Sequence, residues 1–343
     1  MSAPVQSIAD VLDTYNSAIA DVIARYLPDG KPDAHLYDPL RAFTVGQGKG
    51  LRPALCLAAC EAFGGSTDDA LLSAAAIELL HAAFLIHDDI EDGSEKRRGE
   101  SALHVRHGVP IALNVGDALA VLCFRPLLDN VDVLGSRLAR LVLAEFQRTM
   151  ERTVEGQAVE LGWRHDNAIT LTPVDYLDMI LRKTCAYTTI LPLRVGALIG
   201  SRGAANLDAI AEFGFLLGAA FQIHDDLLDL RSNEPYGKDV LGDIREGKRT
   251  LMVIHFLRVA APDDRERVVE FLGRPRESRS DEEVRAVFSL LLDAGSLEFA
   301  EDYAAELVQH ASDSFDGAFA SCAPSPALDF LRDLVPFMTA RTM

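Results

Sequence analysis

Aromatic residues are scarce in this 343-residue chain: Phe, Trp and Tyr together make up 7%, and there is one Trp. With apolar residues recurring at three- and four-residue spacing and not alternating, that scarcity argues against β-sheet as the main building material. Basic residues are also outnumbered, 33 Lys and Arg against 52 Asp and Glu, for a formal net charge of -19. Such a balance argues against nucleic acid or an anionic membrane surface as a partner, because both draw in basic proteins. Any phosphate bound here has to meet metal ions or a locally basic cluster. The five cysteines (Cys56, Cys60, Cys123, Cys185 and Cys322) are odd in number and scattered. They do not form the dense, even pattern of a disulfide framework, so a reducing cytoplasm is expected. Cys56 and Cys60 lack a second Cys or His pair at ligand spacing and read as small core residues. No uncharged apolar run of 18 residues occurs, and the start, MSAPVQSIADVLDTY, has no basic region followed by an apolar one. Neither a transmembrane span nor a targeting segment is expected.

What is present in quantity is helix-forming apolar residue: Ala and Leu abound and 49% of the chain is hydrophobic. The expected fold is all-α, a single domain of bundled helices over 1–343. The periodicity predicts helices over Ile8 to Tyr26, Arg52 to Phe63, Asp69 to Asp92, Asn114 to Asp129, Ser136 to Leu161, Pro173 to Gly200, Asn206 to Leu230 and Lys248 to Ala260. Two more are predicted over Asp281 to Ala294 and Ser296 to Gly317. The least regular stretches, SRGAANLDA and GRPRESRSDEE, are too short to be interdomain linkers.

Two segments are nearly alike: FLIHDDIED, Phe84 to Asp92, and FQIHDDLLD, Phe221 to Asp229. On a helix Asp88 and Asp92 share a face, as do Asp225 and Asp229, while Asp89 and Asp226 point about 100° aside. Carboxylates gathered beside an apolar run oppose their own ionisation through repulsion and desolvation, and a hard cation relieves both. Oxygen donors without Cys or paired His point to Mg²⁺, which combines a few carboxylates with water and substrate phosphates. A single such cluster could be a solvated helix end. Two in matching apolar contexts suggest a clamp for a diphosphate.

These motifs resemble the two aspartate-rich motifs of the trans-isoprenyl diphosphate synthases, or polyprenyl synthetases, and further motifs follow in that family's order from residue 48 to 250. GKGLRP is similar to the family's basic loop for isopentenyl diphosphate, which implies that role for Lys49 and Arg52. The resemblance gives His81 and Arg98 contacts to the same diphosphate and Arg97 a contact to the allylic one. It likewise implies allylic-side roles for Lys183, Thr184 and Gln222, and a cage of Lys238 and Lys248 around the leaving group, with Asp243 in the same GKDVLGDIREGKRT segment. Asp88, Asp92, Asp225 and Asp229 would be the metal ligands, for three Mg²⁺ per active site, with Asp89, Asp226 and Glu160 in support. Glu160 departs from the family's usual Asp at the end of GQAVEL, and DDIED lacks the insertion seen in several bacterial relatives.

The resemblance implies a homodimeric, Mg²⁺-dependent prenyltransferase that joins isopentenyl diphosphate head to tail to an allylic primer of five to fifteen carbons. Departing pyrophosphate would serve as the base, so no triad is needed; His87 and His224 read as packing or supporting residues. Product length in this family follows the tunnel beneath the first motif, here Phe84, Ala83, Leu80 and Ile77. The expected product is geranylgeranyl diphosphate (C20), with farnesyl (C15) or a longer chain as alternatives. A noncatalytic subunit of a heteromeric synthase ranks behind, since both acidic motifs are intact. A terpene cyclase or head-to-head coupling enzyme also ranks behind, because a cyclase has no use for the set Lys49, Arg52, His81 and Arg98.

Overall fold

The computed structural model describes residues 7–44, 50–231 and 241–339. In chain order the helices are α1 Ile8–Tyr26, α2 Asp38–Thr44, α3 Leu51–Ala62, α4 Thr67–Asp92, α5 Leu103–His107, α6 Val109–Leu122, α7 Phe124–Leu134, α8 Ser136–His165 and α9 Pro173–Ile180. They continue as α10 Leu191–Gly200, α11 Leu207–Arg231, α12 Gly242–Glu246, α13 Leu251–Val259, α14 Pro262–Leu272, α15 Asp281–Asp293, α16 Ser296–Ala318 and α17 Pro326–Thr339. Wider π-helical turns span Asp33–Tyr37 and Leu181–Ile190, and a small hairpin pairs β1 Lys96–Arg97 with β2 Glu100–Ser101.

Capping residues set where the long helices start. Ser7 and Asp10 open α1, Ser66 and Asp69 open α4, Thr172 and Asp175 open α9, and Ser280 and Glu283 open α15. In each pair the hydroxyl accepts from the amide of the acidic residue three positions on, while that residue's carboxylate accepts from the cap's own amide, satisfying donors the helix cannot. The cap at Ser66 starts α4 two residues earlier than periodicity predicts. At its other end Gly93, at φ 64, takes the left-handed turn that stops the helix immediately after the acidic motif.

Two apolar clusters form the interior. One gathers α1, α3, α4, α6, α10 and α17, and holds Cys56 and Cys60 fully buried where α3 crosses α10. The other gathers α9, α11, α13, α14, α15 and α16. Predicted helices largely agree with these elements, with three differences. Asn114 to Asp129 is two helices, α6 and α7, because the chain turns at Cys123. Pro173 to Gly200 is continuous but π-wound in its centre. Helices α14 and α17 begin at Pro262 and Pro326, where proline fits the first turn and does not act as a breaker.

By length and composition two stretches, α4 and the run Val109–Leu134, are apolar enough to cross a membrane. The sequence search missed them because Glu78, Asp117 and Arg125 interrupt the uncharged runs. α4 is mostly buried as the central helix of the first core cluster.

Candidate active site

The C-terminal turns of α4 carry the first acidic motif into a cluster of cations. Asp92 is 3% exposed, yet its carboxylate receives Arg164 at 2.8 Å and Lys248 at 2.9 Å. Burial favours its neutral form, but Lys248, with Lys183 and Arg164, outweighs that and holds Asp92 below the ordinary carboxylate range. Asp88, one turn earlier, lies 3.1 Å from Lys183 and 3.8 Å from Arg97. Asp89 is turned into the protein and accepts from Arg97 Nε at 2.9 Å. The hairpin that delivers Arg97 turns at Arg98 and Gly99, both left-handed. His87 packs against Gly116 of α6, with Nε2 3.4 Å from Asp117.

α11 brings the second motif to the same space. Asp225 and Asp229 line one cavity of about 830 Å³ together with Asp88, Lys183, Lys248 and Gln222. Asp226 is buried, with Tyr176 donating its hydroxyl at 2.8 Å and Gln222 donating at 2.7 Å. Burial, and then the nearby Asp243, push its carboxyl up to about 8, against the pull of those two hydrogen bonds. The main-chain amide of Asp243 donates to Asp229 at 3.1 Å. Five residues on, Lys248 meets Asp92, Asp243 at 3.2 Å and Glu246 at 2.9 Å. Residues 242–248 therefore tie the two motifs together. Burial lifts Glu246 above its usual range despite Lys248, and Ser94 donates to its other oxygen at 2.9 Å.

The π-wound segment Leu181–Ile190 presents Lys183, Thr184 and Tyr187 to the cavity, where an α-helix would spread them differently. Lys183 pairs with Asp88 and with Glu160 of α8. Burial works against its charge, but the two carboxylates raise its pKa overall. Glu160 thus touches a cation.

A second basic set occupies another wall. Arg52, at the start of α3, donates to Thr188 at 3.0 Å and stands 5.0 Å over the Tyr187 ring. His81 stacks on the same ring with centroids 5.8 Å apart, and Arg98 lines the same cavity. Burial, reinforced by Arg52, Arg98 and Arg97, drops His81 well below its usual range, so it is a neutral imidazole at pH 7. Lys49 and Lys238 lie outside the described residues.

The family profile named polyprenyl synthetase matches residues 33–291. The chain belongs to the polyprenyl synthetase family. It is 36% identical to the short chain isoprenyl diphosphate synthase of Methanothermobacter thermautotrophicus over 313 residues, covering 91% of this chain and 93% of that one. It is 34% identical to the geranylgeranyl diphosphate synthase of Sulfolobus acidocaldarius, covering 92% and 94%. Among solved structures, geranylgeranyl pyrophosphate synthase from Corynebacterium glutamicum, complexed with isoprenyl diphosphate and magnesium, superposes with a TM-score of 0.85. Its sequence is 25% identical and the match covers 99% of this chain and 100% of that one.

In this polyprenyl synthetase the tunnel residues separate. Phe84 lines the cavity and meets Tyr187 edge-on at 5.3 Å. Ala83, Leu80 and Ile77 are fully buried in the first core cluster and do not line the cavity. Among the described residues no group of three or more His, Cys, Asp or Glu is gathered closely enough to hold an ion. Asp88, Asp225 and Asp229 line the cavity as oxygen-only donors that suit Mg²⁺, which takes few carboxylates and completes its shell with water and phosphate oxygens, whereas Asp92, expected as a fourth ligand, is buried against Arg164 and Lys248 and does not line it.

Sequence reasoning missed Arg164, Glu246, Tyr176 and Tyr187. Arg164 was discoverable: Gln157, Glu160 and Arg164 are spaced three and four apart on one face of α8. Tyr176 and Glu246 carry no such signal, because their partners Asp226 and Ser94 come from distant parts of the chain.

Proposed function

We propose that this synthetase condenses isopentenyl diphosphate with an allylic diphosphate of five to fifteen carbons, head to tail, to give all-trans geranylgeranyl diphosphate. One observation carries the reading: two separate cationic sets open on a single cavity. Lys183, Lys248 and Arg97 stand among the acidic motifs, while Arg52 and neutral His81 meet at Tyr187 and Arg98 lines the same cavity. A cyclase binds one diphosphate and has no use for the second set.

Asp88, Asp225 and Asp229, backed by Asp92, would hold three Mg²⁺, and the ions would supply charge neutralisation for a leaving pyrophosphate. Lys183, Lys248 and Arg97 present fixed positive charge to the same group, where it is worth more than in water. Gln222 and Thr184 orient the allylic end. Arg52, Arg98 and neutral His81 anchor isopentenyl diphosphate so that its double bond meets C1 of the allylic cation, and the C2 proton leaves to the departing pyrophosphate. Phe84 and Tyr187, with Leu85, Met179 and Phe221, shield the cation from water. The C20 assignment draws support from relatives named for that product and from Phe84, whose ring lines the cavity.

We read residues 1–343 as one domain working as a homodimer in the cytoplasm. Val121, Leu128 and Val131 form an exposed apolar strip on α6 and α7 suited to a second copy. Four of the five free cysteines are buried, as suits a reducing compartment. Incubation with Mg²⁺, isopentenyl diphosphate and each of the C5, C10 and C15 allylic primers, with products sized by chromatography, tests the reading. Growth to C20 from every accepted primer is expected. No elongation with any primer would sink it.

A further inference from the structure

Beyond the family's motifs, in the irregular stretch GRPRESRSDEE, Arg279 is 6% exposed although it carries a full charge. Its guanidinium donates to the carbonyls of Leu272 at 2.9 Å, Arg274 at 2.7 Å and Phe271 at 3.2 Å, closing the C-terminal end of α14. It also crosses to the carbonyl of Arg245 at 2.6 Å. Arg245 returns the contact, donating Nη1 to the carbonyl of Arg279 at 2.8 Å. The two arginines thus clasp each other's backbone. The clasp leaves no room for a side chain at Gly247, where a Cβ would lie 2.5 Å from Arg279 Nη1.

Arg249 grips the same turn from the cavity side. It is 2% exposed and donates to the carbonyl of Gly247, to Asn167 Oδ1 at 2.6 Å and to the carbonyl of Ala168 at 3.3 Å. The turn that these two guanidinium groups hold carries Asp243, whose amide reaches Asp229, and Lys248, whose ammonium reaches Asp92. Burying two arginines against carbonyls, with no carboxylate hydrogen-bonded to either among the described residues, is costly. Burial, and then the other arginines nearby, lower both to about 10.

We propose that Arg279, with Arg245 and Arg249, is a positioning residue that sets residues 242–248 so that Lys248 reaches the leaving pyrophosphate. This rests on the reading of Lys248 as a leaving-group residue. A lysine at 279 brings one ammonium to a place where a planar fork meets four carbonyls, so it does not substitute.

The test is calorimetric binding of inorganic pyrophosphate with Mg²⁺ to the full chain, below each variant's melting temperature and normalised to folded protein. Arg279→Lys and Arg279→Met are each measured alone and combined with Lys248→Met. We expect Arg279→Lys to weaken binding about tenfold, the size of a typical coupling between groups sharing one network. In the Lys248→Met background the same change should have no further effect. A merely structural Arg279 would lower the melting temperature equally in both backgrounds and leave binding per folded molecule intact, which would overturn the proposal. If Lys248→Met itself leaves binding unchanged, the assignment of Lys248 fails, and that outcome is distinct from a failure of Arg279 alone.

Discussion

Gly156 of α8 offers a sharp perturbation, because the π-wound segment passes directly over it. A Cβ built there would lie 2.2 Å from Lys183 N, 2.7 Å from Lys183 Cα and 2.8 Å from Arg182 C. All three are backbone atoms and cannot swing aside like the end of a side chain. Ordinary heavy-atom contacts sit at about 3.5–4.0 Å, so Gly156→Ala has to push the segment back by about 1 Å or more. Overpacking of this kind costs about 1–3 kcal/mol, and the better helix propensity of Ala returns about 1 kcal/mol. Stability therefore falls by at most about 2 kcal/mol, and the protein stays folded.

The larger effect is on chemistry, since Lys183 moves away from Asp88 and Glu160, and a misplacement of about 1 Å costs about 100-fold in rate. Single-turnover formation of the elongated product measures it, beside urea unfolding. Gly162→Ala on the same helix is the control, because a Cβ there meets nothing within 4 Å. A Gly156→Ala enzyme with undiminished single-turnover rate would show that the close approach does not place Lys183.

Phe84→Ala removes the ring that meets Tyr187 in the cavity wall, and the main product should lengthen by one or more five-carbon units; unchanged length by chromatography removes Phe84 as the floor. His81 has a folded pKa depressed below its unfolded value of about 6.5, so the stability this confers is present above that pH and is lost as pH falls. Urea unfolding from pH 8 to 5 should show a loss approaching about 1.4 kcal/mol per pH unit below 6.5. In His81→Gln, which keeps a neutral donor, the slope should fall by the His81 share, leaving that of His224 and His255, which burial also lowers, and identical slopes would refute a neutral buried imidazole. Leu128 is 63% exposed in the apolar strip of α7, and Leu128→Asp should split the dimer in sedimentation, whereas an intact dimer would place the interface elsewhere.

Much of the site is legible from local pattern, because an i, i+4 pair of aspartates on a helix shares a face whatever the rest of the chain does. Asp88, Asp225 and Asp229 line the cavity for that reason, but Asp92, expected on the same face as Asp88, is buried against Arg164 and Lys248 and does not. Asp89 is turned aside onto Arg97, whereas Asp226, expected to point aside, borders the cavity while buried with Tyr176 and Gln222 as donors. What stays hidden depends on long-range packing. No spacing rule says that Arg279 will close on residues 242–248, that Arg164 of α8 will meet the end of α4, or that Leu181–Ile190 will wind as a π-helix. The tunnel shows the same limit: counting back from Asp88 places Ala83 and Phe84 side by side, yet only the packing of neighbouring helices turns Phe84 to the cavity and Ala83 into the core.

The central claim is that one cavity holds two diphosphates at once on separate cationic sets. Calorimetry with Mg²⁺, isopentenyl diphosphate and an unreactive allylic thiolo-diphosphate measures this directly. The account predicts one of each bound per chain, with Arg52→Met removing mainly the first and Lys183→Met mainly the second. Mutual exclusion of the two ligands, or loss of both with either substitution, would contradict it.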